Sequence, residues 1–143
     1  MKSNSMKAML AAFVFIAMLG SCKKSSDKLT RTEMMVGTWN LNAYGVDDNN
    51  NGILEASEYD AIPAGAAMEQ TYRSDGTGVF MTQGPANLPV YSNVNWLLTD
   101  NEQNLRVVSN GNTTNATISV LTEHELQGYD PAQSPRYVYL LTK

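Results

Sequence analysis

This chain of 143 residues has one cysteine and one histidine. The lone cysteine, Cys22, excludes a disulfide framework within the chain. The lone histidine, His124, excludes a metal site built on two or three imidazoles of one chain. From Gly37 onward only Arg73, Arg106, Arg136 and Lys143 are basic, against twelve acids, a formal charge of −8. Nonspecific nucleic-acid binding needs clustered Lys and Arg, so no nucleic-acid partner is expected. There is no Walker loop and no dinucleotide-binding glycine pattern. A hydrophobic content of 43% fits neither a polytopic membrane protein nor a disordered chain. The length suits one domain.

What is present begins with an export signal. Lys2 and Lys7 precede an uncharged apolar run from Ala8 to Gly20. That run falls short of the about 20 residues a bilayer span needs and fits the apolar region of a signal peptide. It ends Leu19-Gly20-Ser21-Cys22, which resembles the bacterial lipobox. The resemblance implies cleavage before Cys22 and acylation of that cysteine. Residues 1–21 are therefore read as the signal peptide, and residues 22–35 as lipidated cysteine and polar tether. A helical turn capped by Thr32 is expected at its end. Several acyl chains anchor far better than one, so the expected membrane contact is the lipid on Cys22. Lipoproteins of this kind often carry an acidic run after the cysteine when they are surface-exported. Its absence here points to the periplasmic face of the outer membrane.

From residue 36 the pattern is that of strands. Trp39, Leu41 and Ala43 alternate with Asn40, Asn42 and Tyr44. Met68, Gln70 and Tyr72 alternate with polar neighbours, and Ser74-Asp75-Gly76-Thr77 signals a tight turn into a strand over Gly78–Thr82. Further strands are expected at Val90–Thr99, Asn104–Val108, Thr113–Leu121, Glu125–Tyr129 and Arg136–Thr142, with Asn110-Gly111 as a second hairpin signal. Short connections favour antiparallel neighbours. The expected fold class is all-β: an eight-stranded antiparallel up-and-down barrel over residues 36–143, which removes sheet edges by closure. A β-sandwich is the competing architecture.

Gly37-Thr38-Trp39 at the start of the first strand resembles the Gly-x-Trp opening of lipocalins, in which the tryptophan plugs the closed end of the barrel. The Phe80 strand after Ser-Asp-Gly-Thr, the Trp96 strand, and Leu121-Thr122-Glu123 before Leu126 are similar to small bacterial lipocalin-like lipoproteins. The resemblance covers Val36 to Lys143, without the C-terminal helix of larger lipocalins. It implies an apolar ligand cavity open at one end, for which Leu41, Tyr72, Phe80, Trp96, Ile118 and Tyr139 are the candidate lining residues. A small apolar ligand or a protein partner is the implied occupant.

Catalytic chemistry has little to build on. His124 lies between Glu123 and Glu125 in an expected turn, with no serine nucleophile motif nearby. Two acids facing one cleft would be required for glycoside hydrolysis, and an exposed turn accounts for these. The chain is read as a non-enzyme, the alternatives being an envelope hydrolase using loop carboxylates and a purely structural envelope protein.

One motif is more specific. Residues 47–58 match the EF-hand calcium-loop pattern D-x-[DN]-x-[DN]-G-x₅-E at every fixed position. Ca²⁺ requires oxygen ligands around a sharp turn. Asp47, Asn49 and Asn51 would supply side-chain oxygens, Gly52 the turn, Ile53 a carbonyl, Glu55 a contact through water and Glu58 a bidentate carboxylate. Leu54 would tie the loop to the core. A strand occupies the place of the entering EF-hand helix, and only Glu55–Ile62 has room for an exiting helical turn. Two neutral ligands reduce the charge, so weak binding of about 10⁻⁴–10⁻³ M is expected, as in extracellular modules.

Overall fold

The computed structural model describes residues 28–143. The signal segment and Cys22 lie outside the described residues. A short helix α1 (Arg31–Met35) is followed by β1 (Gly37–Val46), a 3₁₀ turn (Ala56–Glu58), β2 (Ala67–Tyr72), β3 (Thr77–Gln83), β4 (Val90–Thr99), β5 (Asn104–Ser109), β6 (Asn112–Leu121), β7 (Glu125–Tyr129) and β8 (Tyr137–Thr142). The eight strands pair antiparallel in chain order, and β8 returns to β1 to close the barrel. Among the described residues no helix is long and apolar enough to cross a membrane.

Turn chemistry explains the hairpins. At β2–β3 the Asp75 carboxylate accepts from the Thr77 amide at 2.9 Å and hydroxyl at 2.7 Å, and Gly76 takes φ 82°. At β5–β6, Asn110 and Gly111 take φ 50° and 81°, the two positive values that match a two-residue hairpin to the strand twist. Asp100, Asn101 and Glu102 are all left-handed, a conformation unusual for Glu. The Glu102 carbonyl accepts from Arg31 Nε, and its carboxylate from the Thr32 hydroxyl, so α1 holds this turn in place.

α1 belongs to the folded domain and not to a tether. Its N-cap is Thr30, not the expected Thr32, in a capping box with Glu33. Met35, its last residue, is fully buried in the main core. Trp39 is also fully buried, and its indole N–H donates to the Met35 carbonyl at 2.8 Å. Lys143 lies 4.3 Å from the Trp39 ring and donates to the carbonyls of Met34 and Val36. Desolvation lowers the Lys143 pKa, against an opposing pull from Glu123. This is the closed end of the barrel. The open end is formed by the connections 47–66, 84–89, 110–111 and 130–136.

Two cores result. The inner one packs Trp39, Tyr72, Val94, Trp96, Leu105 and Ile118 with their neighbours. The outer one joins Ala43, Leu54, Val138 and Leu140. The expected alternation in β1 placed Ala43 with Trp39 and Leu41. A bulge between Leu41 and Ala43 shifts the register, so that Ala43 pairs with Leu140 and Tyr44 with Tyr139. Because strand side chains alternate, one extra residue exchanges the faces. Ala43 therefore joins the outer core, and Tyr44 turns toward the barrel axis.

Candidate functional site

The bulge sets up the open end. Tyr44 and Tyr139 stand nearly parallel, with ring centroids 6.3 Å apart and planes 20° apart. With Leu41 and Tyr137 they form the barrel side of a cavity of about 400 Å³. Ile62, Pro63, Ala66 and Ala67 form its other wall, and Gln83 and Gln133 its amide groups. No lining residue is charged. The Tyr44 hydroxyl donates to the Ala61 carbonyl at 3.3 Å, and the Asp60 amide to the Tyr44 carbonyl at 2.8 Å, so the loop wall is fastened to β1.

Of the six residues expected to line a ligand cavity, Leu41 and Tyr139 border this one. The other four sit deeper, in close packing. Tyr72 meets Phe80 and Trp96 edge-on, at centroid distances of 5.5 and 5.3 Å. Trp96 donates from its indole to the carbonyls of Arg73 and Thr77. Ile118 is buried in the same cluster. Burial also pushes the Tyr72 hydroxyl far above its ordinary pKa. These large side chains fill the lower barrel, which leaves the cavity at the mouth. Sequence reasoning missed Tyr44, Ile62 and Pro63. The first was hidden by the bulge, and the others lie in a connection without periodicity.

Loop 47–58 packs on the outside of the wall formed by β1, β8 and β7. Leu54 is 3% exposed and enters the outer core, and its amide donates to the buried Gln127 side chain at 2.8 Å. Gly45 permits this seating, since a Cβ there would collide with the Glu58 carbonyl oxygen. The predicted ligand positions form one turn system. Asp47 Oδ1 accepts from the Asn51 amide at 3.0 Å and Oδ2 from the Gly52 amide at 2.8 Å. Asn49 Oδ1 accepts from Asn51, and Asn51 Oδ1 from Ile53. Glu58 accepts from the amides of Asp48 and Glu55 through its two oxygens. The Glu55 carboxylate accepts from Asn51 Nδ2 at 3.3 Å. Ile53 is 41% exposed.

Asp47 is the loop's buried acid. Arg136 Nη1 lies 3.1 Å from its Oδ2 and also donates to the Asn50 carbonyl, while the guanidinium stands 4.4 Å over the Tyr129 ring. Burial alone would raise the Asp47 pKa. The Gly52 amide, Arg136 and the Asn51 amide outweigh it and leave the pKa below the usual carboxylate value. Among the described residues, no three His, Cys, Asp or Glu side chains are gathered to hold a metal ion. The calcium-loop set draws instead on two asparagines and a main-chain carbonyl. Its donor chemistry fits: an amide or carboxylate oxygen that accepts one N–H keeps a second lone pair. Asp47 Oδ1, Asn49 Oδ1, Asn51 Oδ1 and both Glu58 oxygens are in that condition. Asp47 Oδ2 already has two donors.

The fold is lipocalin-like. A lipocalin-like protein from Bacteroides uniformis superposes with TM-score 0.54 at 9% identity, over 77% of this chain and 98% of that one. An uncharacterized protein from Bacteroides eggerthii superposes with TM-score 0.52 at 11% identity, over 76% of this chain and 98% of that one. At such identities the likeness is one of fold. No family model matches the chain, and no curated protein does.

The acids considered for hydrolysis are elsewhere. Glu123 and His124 are exposed in the β6–β7 turn at the closed end, and the Glu125 carboxylate accepts from the Gln127 side chain. None of them lines the mouth cavity.

Proposed function

We propose that this protein is a non-catalytic, lipid-anchored envelope barrel that binds a small apolar ligand at its mouth, with Ca²⁺ bound in loop 47–58. The observation that carries the ligand reading is the uncharged, tyrosine-lined cavity at the one end not closed by α1 and Trp39. Its volume lies at the small end of ligand sites, about 300–1,000 Å³. A ligand the size of phenethyl alcohol fits it and should bind with Kd of roughly 10⁻³ M, given the usual free energy per ligand atom. Saturation-transfer NMR tests this. Phenethyl alcohol should receive magnetisation from the wild type and lose that signal with Ala67→Trp, which fills the cavity from its exposed edge. An equal signal from both proteins would refute the assignment.

The calcium reading is favoured by the inward turn of oxygens at loop positions one, three, five and twelve. The ion would supply positive charge to a loop that holds four acids, Asp47, Asp48, Glu55 and Glu58. Its role would be to stiffen the loop. Tyr44 and Tyr59 flank the loop, so Tb³⁺ bound there should luminesce on tyrosine excitation. Loss of that signal in Glu58→Gln is the expected result, and an unchanged signal would place the ion elsewhere. Anchoring rests on Leu19-Gly20-Ser21-Cys22. The mature protein should begin at Cys22 with a mass that includes acyl chains, and Cys22→Ser should release it into the soluble periplasmic fraction. A wild-type mass without acyl chains would overturn the anchor.

A further inference from the structure

The chemistry of the mouth restricts its ligand further. The open-end connections hold six acids, Asp47, Asp48, Glu55, Glu58, Asp60 and Asp130, and one base, Arg136. That base is occupied: it is paired with Asp47, donates to the Asn50 carbonyl and lies over Tyr129. The connections at the closed end, with α1 and Lys143, hold three bases and five acids. The excess negative charge is therefore larger at the open end, where the cavity lies. Asp60 is exposed and its amide is bonded to the Tyr44 carbonyl. Asp130 holds the turn that carries Gln133, through its carbonyl and the Gln133 amide at 3.1 Å. The cavity wall itself is three tyrosines, Tyr44, Tyr137 and Tyr139, with aliphatic neighbours, the amides of Gln83 and Gln133, and no charge.

An uncharged, tyrosine-rich wall at the acidic end of the barrel suits one ligand class. Aromatic faces attract cations through the ring quadrupole, and an apolar wall gains from burying hydrocarbon. The acidic open end draws cations in and repels anions, with the strongest effect at low salt. We infer that the mouth cavity selects small organic cations, an ammonium group on an apolar or aromatic body, over neutral and anionic molecules of the same shape. This rests on the cavity being a ligand site and names the class of ligand that site takes. A carboxylate-bearing amphiphile, by contrast, would find no unpaired cation in the described connections of this end, since Arg136 is engaged by Asp47.

The test compares phenethylammonium, phenethyl alcohol and hydrocinnamate, which share an aromatic body and differ in charge. Each is titrated into the protein in chelator, so that Ca²⁺ plays no part, and Kd is read from protein NMR shifts. At low ionic strength the cation should bind about five- to tenfold tighter than the alcohol, and the anion weaker than the alcohol by a similar factor. Near 1 M salt, where the Debye length falls to about 3 Å, most of the gap should close. The double variant Asp60→Asn, Asp130→Asn should narrow the gap and leave phenethyl alcohol unchanged. Three equal affinities, or tightest binding of the anion, would overturn the charge preference while leaving the cavity as a ligand site. If none of the three binds, the cavity assignment itself falls, and the preference with it.

Discussion

Trp39 and Tyr44 lie five positions apart on one strand and have opposite fates. Trp39 is fully buried, bonded to Met35 and covered by Lys143. Tyr44 is half-buried and faces a cavity. The closed end spends its large side chains on one another: α1 supplies a lid, and Tyr72, Phe80 and Trp96 fill the space above it. At the open end three of the four connections, 47–66, 84–89 and 130–136, are longer than any at the closed end. One of them folds back against the outer wall through Leu54 while its continuation, Ile62 and Pro63, leaves a gap against the barrel tyrosines. A closed sheet alone does not make a binding site. The mouth cavity lies where a loop, and not the sheet, supplies the second wall.

Substitutions at either end of the barrel test this contrast. The largest effect is expected from Trp39→Ala, which should cost about 3–5 kcal/mol as a large-to-small core change. A near-native denaturation midpoint for this variant would contradict the closed-end plug. Leu54→Ala removes the anchor of the open-end loop and should cost about 2–4 kcal/mol by the same argument. Its distinctive sign is loss of hydrogen-exchange protection at the Leu54 amide ahead of the strands. Uniform loss across the barrel would instead make the loop part of one cooperative core.

Asp47→Ala should cost about 1–3 kcal/mol, because it strips acceptors from two loop amides and from Arg136. The same residue gives a pH dependence. Its folded pKa is depressed, so its contribution is complete above the ordinary value of 3.8 and is lost as pH falls through the lower folded value. Denaturation midpoints measured between pH 6 and about pH 2 should show a steeper acid loss in the wild type than in Asp47→Asn. Parallel curves would remove Asp47 from the acid response. The smallest effect is expected from the ion. At ten times Kd, Ca²⁺ should raise the melting temperature by roughly 3–6 °C, corresponding to about 1.4 kcal/mol. The shift should vanish in Glu58→Gln, and no shift in the wild type, together with no Tb³⁺ luminescence, would sink the calcium proposal.

The strands were legible because alternation and turn residues agree. Asp75-Gly76 and Asn110-Gly111 mark their hairpins, and the expected strand limits fall within a residue or two of those observed. What escaped was non-periodic. The bulge in β1 inserts one residue among small and polar neighbours, Asn42 and Ala43, where no residue type announces it. α1 reads as tether because it has five residues and follows a polar run, yet Met35 fits the space beside Trp39. The cavity was half legible. Leu41 and Tyr139 follow from barrel periodicity, whereas Tyr44 depends on the bulge and Ile62 and Pro63 on a loop path. The EF-hand-like spacing is visible by pattern, but Arg136, distant in sequence, is found only once β8 is paired with β1.

Packing at one end of the barrel and ligand binding at the other are open to one direct test. Amide and indole shifts of the labelled protein, recorded during titration with phenethylammonium in chelator, provide it. Saturable shifts are expected only at Leu41, Tyr44, Ile62, Tyr137, Tyr139 and Gln133, with the indole signals of Trp39 and Trp96 unmoved. Saturable movement of the two indoles with a silent tyrosine mouth would contradict this division of the barrel.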